Sequence, residues 1–259
     1  MSVALIELVE MTATLNVVVS INSTTVMQTY WTVPPLSYTY SAKLNLRFKG
    51  KAGKMDCKTD GQNESFFLQF NKIELLSDIG NHIARYGVQC GLKTLMDDVD
   101  LNCGAVPEGE FEQVIDLSSA YQFLSMYTKI VENRFAFVVT ALLKANADFM
   151  PILVEFCGRI GKDMNLEFIP DAKTAFEVFE SYILDGMPCE ETKKITLNTA
   201  DIVQWEKLVD THEDSWKKAG GEVSVYYKLQ QCFVSGLLEK SGIKFENNGG
   251  KSFSLTKEL

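Results

Sequence analysis

Through its first seventy residues the chain carries a strand-like pattern. Leu15 to Ile21, Val26 to Val33 and Lys43 to Lys49 are rich in Val, Thr and Tyr and alternate apolar with polar positions, and Pro34-Pro35 supplies turn or edge punctuation. A further arm through Met55 and Cys57 and a strand over Ser65 to Phe70 would complete a mostly antiparallel sheet. The period then changes. Ile73, Leu76, Ile79, Ile83 and Tyr86 recur at intervals of three and four, which predicts an amphipathic helix from Lys72 to Tyr86 that ends near Gly87.

In the middle of the chain Tyr121, Leu124, Tyr127, Ile130 and Val131 fall on one stripe and predict a helix over 118–132. Phe135 to Leu143 is apolar without a period, and so fits a buried strand or a buried helix equally. Asp148 stands where it can cap a helix whose first turn holds Pro151.

The last ninety residues are punctuated more clearly. Asp171 caps a helix carrying Ala175, Phe176, Phe179, Tyr182 and Ile183, with Gly186 and Pro188 beyond it. A short strand, Lys194 to Asn198, follows. Thr199 is then read as opening a helix that runs to Gly220-Gly221, with Asp201 in its first turn and Lys217 and Lys218 in its last. Ser224 to Lys240 forms the next helix. Ile243 to Glu246 and Lys251 to Leu255 flank Asn247-Asn248-Gly249-Gly250, residues that accept the positive φ of a hairpin turn. This order of helix, strand, helix, helix and hairpin resembles a winged helix over about a third of the chain, by element order and not by a diagnostic motif. The closing helix and hairpin also loosely resemble the end of some viral matrix domains. The expected class is therefore α+β, with an N-terminal antiparallel β-rich region followed by a mainly helical, winged-helix-like C-terminal part. The expected divisions are 1–110, 111–170 and 171–259.

Composition narrows the setting. The chain has 259 residues, 46% apolar and 23% charged, which excludes disorder and collagen-like repeats and leaves ample material for a core. Its formal charge is −9, unfavourable for whole-surface contact with nucleic acid or anionic lipid. Cys57, Cys90, Cys103, Cys157, Cys189 and Cys232 are scattered, with no Cys-x-x-Cys pair, and read as free thiols of a reducing compartment. Glu7 and Glu10 break any secretion signal, and the apolar run 135–143 is too short to cross a bilayer. The expected location is intracellular, cytoplasmic or nuclear, and not secreted.

Charge is segregated along the chain. Lys43, Arg47, Lys49, Lys51, Lys54 and Lys58 stand against a lone Asp56, giving residues 43–58 a net +5 and the remainder −14. With Leu44, Leu46 and Phe48 turned inward, Lys43, Arg47 and Lys49 share one outer face of a strand. Such a ribbon suits phosphates, an anionic lipid surface or an acidic partner, and it also suits protection of an edge strand from aggregation. Its counterpart runs from Thr94 to Thr128, where Asp97, Asp98, Asp100, Glu108, Glu110, Glu112 and Asp116 occur with no Lys or Arg. Asp98-x-Asp100-x-Asn102 has the spacing that opens a calcium loop, but Cys103 replaces the required Gly and Gly109 the required Glu. The strip reads instead as a solvated acidic turn or as a contact for a basic partner, including the ribbon of another copy.

Catalytic signals are sparse. Neither His82 nor His212 sits in a nucleophile or metal motif; His82 reads as a surface or core-edge residue, and for His212, among Asp210, Glu213 and Asp214, a charged form favoured by those neighbours and a solvated helix face serve equally well as readings. Gly249-Gly250-Lys251-Ser252 copies the end of a phosphate loop in a strand-turn-strand setting that cannot cradle phosphate. No catalytic residue, metal site or cofactor is assigned. The C-terminal residues 171–259 carry a net −4, which argues against major-groove reading. The functional expectation is a non-catalytic interaction or assembly protein working through the ribbon and the strip, with a viral structural or accessory protein as one setting. The alternatives are a nucleic-acid-binding protein contacting phosphates through the ribbon, and an enzyme whose carboxylates meet only in space.

Overall fold

A long helix opens the described structure. The computed structural model describes residues 62–107, 109–166, 169–188 and 190–258. The expected strands between 15 and 49, the arm near Met55 and the whole basic ribbon, Lys43, Arg47, Lys49, Lys51, Lys54 and Lys58, lie outside those residues. The elements are α1 (Gln62–Gln89), α2 (Leu95–Cys103), α3 (Phe111–Val114), a 3-10 turn (Leu117–Ser119), α4 (Ala120–Ala145), α5 (Phe149–Asp163), α6 (Ala172–Tyr182), β1 (Lys193–Asn198), β2 (Ile202–Lys207), α7 (Glu213–Ala219), α8 (Val223–Leu237), β3 (Ile243–Asn248) and β4 (Ser252–Lys257).

The expected order of a β-rich start and a helical end is corrected. Among the described residues the helices come first and the one sheet is C-terminal, built from strands between 193 and 257. Two local readings account for part of the reversal. Ser65 to Phe70 forms the opening turns of α1, because Ser65, Gln69, Phe70 and Ile73 are buried together at helical spacing. The helix expected from Thr199 instead contains β2, where Val203 and Trp205 are buried and Gln204 and Glu206 exposed, an alternation of period two. Thr199 serves the turn into that strand: its Oγ1 accepts from Ile202 N at 3.0 Å.

α4 explains why residues 135–143 have no period. From Val131 to Leu142 it is buried on nearly every side, packed against α1, α2 and α7. A helix enclosed all round needs no polar stripe. α5 and α8 cross so closely that a Cβ at Gly161 would lie 2.0 Å from Phe233 O, and one at Gly236 would lie 2.1 Å from Gly158 O. Only glycine permits that approach.

The sheet has the order β1-β2-β4-β3, antiparallel throughout. Val203, Trp205, Phe245, Phe253 and Leu255 form its buried face, with Trp205 stacked on Phe253 at 5.4 Å and Phe179 of α6 laid against Trp205 at 5.0 Å. α6 is set in place by Asp171, whose Oδ1 accepts from Thr174 N at 2.8 Å. Among the described residues no helix is long and apolar enough to cross a membrane.

Candidate functional site

Two concentrations of carboxylates stand out, one inside the molecule and one on its surface. The inner one begins with a property of β2: the alternation that buries Val203 and Trp205 also turns Lys207 inward. Lys193 of β1 pairs across the sheet with Lys207, so two ammonium groups enter the same interior space. Their common partner is Asp185, in the loop after α6. Its Oδ1 lies 3.0 Å from Lys207 Nζ, and its Oδ2 lies 3.3 Å from Lys193 Nζ. Thr211 Oγ1 also donates to Oδ1, at 2.8 Å. Gln69 fixes this loop to the helices by donating to Gly186 O at 3.0 Å and to Thr128 Oγ1 at 3.1 Å.

Neighbouring groups extend the network. Lys193 Nζ also meets Glu180 Oε1 at 2.6 Å, and Lys207 Nζ donates to Tyr227 OH at 3.0 Å. His212, 1% exposed, stacks on Tyr226 at 3.8 Å and brings Nδ1 within 2.9 Å of Glu132 Oε1 on α4. Its Nε2 lies 3.9 Å from Asp185 Oδ1 and has no hydrogen-bond partner. Asp210 Oδ1 accepts from the backbone N–H groups of His212 and Glu213, which fixes the start of α7. His212 is therefore interior, and the expectation of a solvated helix face is corrected.

The electrostatics follow from burial and pairing. Burial works against the charge of Asp185, yet Lys207, Lys193 and His212 together hold its carboxyl well below the usual range. Burial likewise opposes the charge of Lys193, and Glu180 and Asp185 outweigh it, so its ammonium is held above the ordinary lysine value. Lys72 on α1 is pushed down by burial, with Glu180 pulling the other way. Burial also drives the phenols of Tyr226 and Tyr227 upward, with acidic neighbours adding to the effect. The Glu132–His212 pair has the form of an oriented acid-base dyad. The crevice beside it, bounded by Phe135, Ser215, Trp216 and Tyr226, leaves no space for a water-sized molecule. What the cluster does in this conformation is bind α4, the loop after α6, and strands β1 and β2 to one another.

The outer concentration is the acidic strip. Asp97, Asp98 and Asp100 lie on α2 and not in a loop, so the calcium-like spacing does not form a calcium loop. Thr94 Oγ1 donates to Asp98 Oδ2 at 2.8 Å, and Asn102 Nδ2 donates to Asp98 O at 2.7 Å. Asp100 is taken up by Arg134 of α4 at 2.5 Å, and Arg134 also donates to Gly104 O. That contact ties α2 to α4 and gives Asp100 a cationic partner while its side chain stays 56% exposed. Glu110, at the start of α3, donates its backbone N–H to Gln113 Oε1 at 3.1 Å, while Glu112 lies within α3 and Glu108 outside the described residues. Asp116 receives Ser118 Oγ and Ser118 N, which hold its carboxyl below the ordinary value. Within this acidic segment two leucines face solvent: Leu101 at 85% exposure and Leu117 at 51%.

The structure thus places Asp97, Asp98 and Leu101 on one turn of α2, with Asp98 half-buried and Asp100 exposed but paired with Arg134. The inner cluster escaped sequence reading, although continuing the Val203-Trp205 alternation by one step would have pointed to Lys207. Among the described residues no group of three or more His, Cys, Asp or Glu is placed to hold a metal ion. Comparison of this chain with protein-family models, with curated proteins and with solved structures gave no match, so the functional reading rests on its own residues.

Proposed function

We propose that the protein works as a non-catalytic assembly protein whose acidic, leucine-bearing surface over residues 95–119 docks a basic partner. The observation that carries this reading is Leu101, the most exposed large apolar side chain among the described residues, standing one helical turn from Asp97 and Asp98. An apolar side chain among carboxylates matches a segment that alternates cations with apolar residues. Residues 43–58 of a second copy have that chemistry in Lys43, Leu44, Leu46, Arg47, Phe48 and Lys49. Opposite charges would steer and register the contact, and the leucines would add burial. A basic ribbon committed to an acidic protein surface is also compatible with the net charge of −9, which disfavours nucleic acid.

A charge swap tests the proposal. Asp97→Lys with Asp98→Lys, and separately Arg47→Glu with Lys49→Glu, should each abolish self-association measured by sedimentation velocity. Mixing the two variants should restore a heteromeric species. If both variants associate like the parent, or if the mixture recovers nothing, the pairing is wrong. Salt-sensitive binding of RNA that is lost only in the Arg47→Glu, Lys49→Glu variant would transfer the ribbon to the nucleic-acid reading.

A further inference from the structure

Two adjacent asparagines at the tip of the β3–β4 hairpin are held in opposite ways. Asn247 has its carboxamide fixed at both ends: Oδ1 accepts from Gly250 N at 2.6 Å, and Nδ2 donates to Tyr227 O of α8 at 3.3 Å. Asn248 is exposed, and its side chain makes no hydrogen bond among the described residues. It also opens the only Asn-Gly step in the chain. Gly249, at φ +66°, has nothing within 4 Å of where a Cβ would stand, and its N–H enters no backbone hydrogen bond among the described residues. The fold therefore fixes one carboxamide and leaves its neighbour loose at an exposed turn.

These features meet the requirements of an intramolecular reaction. A backbone nitrogen can attack the carboxamide carbon of the preceding asparagine when that side chain is free to turn, no Cβ crowds the nitrogen and its N–H is not committed elsewhere. We infer that Asn248 is a site of self-modification, with water as the co-reactant. The bond from Gly249 N to Asn248 Cγ forms as the Cγ–Nδ2 bond breaks; the backbone nitrogen gives up its proton, ammonia leaves and a cyclic imide closes. Water then adds to either imide carbonyl, that carbon's bond to the ring nitrogen breaks, and the nitrogen takes back a proton. Opening at Cγ gives aspartate. Opening at the backbone carbonyl gives isoaspartate, whose main chain runs through the former side-chain methylene. No electron is gained or lost: amide plus water becomes acid plus ammonia. The isoaspartate form lengthens the chain between Asn247 and Gly250, and Gly250 is pressed so closely on the Tyr227 ring that a Cβ there would overlap it. The longer turn works against the Gly250–Asn247 bond and so loosens the hairpin tip from α8. This inference is independent of the surface docking proposed above.

The full chain, folded and in urea, is incubated at mildly alkaline pH in water enriched in heavy oxygen and mapped by mass spectrometry until residue 248 of the urea sample has converted. The folded chain should then contain both aspartate and isoaspartate at 248, each carrying one solvent oxygen, with Asn247 still an amide. Conversion should be slower at mildly acid pH, because the attacking nitrogen must lose its proton. By NMR, the isoaspartate fraction should exchange the Gly250 amide hydrogen faster than the parent. An intact Asn248 in the folded chain, equal conversion at Asn247, aspartate without isoaspartate, or unchanged Gly250 exchange in the modified fraction would each overturn the inference. Gly249→Ala, compared with the parent in urea so that folding is not at issue, should slow conversion several-fold; equal rates would remove the cyclic route.

Discussion

The same side-chain chemistry is used in opposite ways at the Asp185 cluster and on α2. Around Asp185 each carboxylate is matched within a few ångströms: Lys207 and Lys193 on Asp185, Lys193 on Glu180, His212 on Glu132. On α2, Arg134 takes Asp100, while Asp97 is exposed beside an exposed leucine. Compensated charge in a dry interior fixes how elements sit against one another. Charge left facing solvent costs little to keep and remains available to a partner. Carboxylate count alone therefore does not mark a site; what matters is whether the protein has already matched it.

The largest effect expected from breaking this contrast is at the hub. Asp185→Ala should cost about 3–5 kcal/mol in chemical denaturation, because it strands Lys207 and Lys193 without their shared partner. Replacing the hub and both lysines together with apolar residues should recover much of that loss. Next in size is a purely steric control. Gly161→Ala should cost about 1–3 kcal/mol or more, since its methyl would overlap Phe233 O, and this loss should be independent of salt and pH.

The pH dependence is smaller and has a definite sign at each end. Asp185 has its folded pKa depressed, so its contribution is present above the unfolded aspartate value near 3.9 and is lost as pH falls through the lower folded value. Lys193 has its folded pKa raised, so its contribution is complete below about 10.4 and is lost as pH rises through the higher folded value. Denaturation midpoints followed against pH should therefore decline from these two groups only at strongly acid and strongly alkaline pH, and Asp185→Ala should flatten the acid limb. The smallest stability effect belongs to the surface. Asp97→Asn with Asp98→Asn should leave the denaturation midpoint essentially in place while weakening self-association.

Sequence reading reached some of this and missed the rest for identifiable reasons. Asp171 and the run Asn247 to Gly250 act locally, so the cap of α6 and the turn between β3 and β4 can be read from adjacent residues. The second half of α4 lacks a stripe because it is enclosed on nearly every side. β2 was hidden by Asp201, whose acidic side chain suits a helix start as well as the turn it occupies before the strand. Lys193, Lys207, His212 and Glu132 come from distant stretches and meet only through the sheet and α4. A lysine or glutamate in sequence carries no mark of its burial. The acidic strip was visible as a run of carboxylates, but the pairing of Asp100 with Arg134 required the packing of α2 on α4.

Size-exclusion light scattering of the unmodified chain across ionic strength tests the docking surface most directly. Pairing of the α2 face with residues 43–58 of another copy predicts an oligomer at about 20 mM salt that dissociates toward about 500 mM, where screening reaches only a few ångströms. A mass equal to one chain at both ends of that range, or an oligomer indifferent to salt, would contradict it.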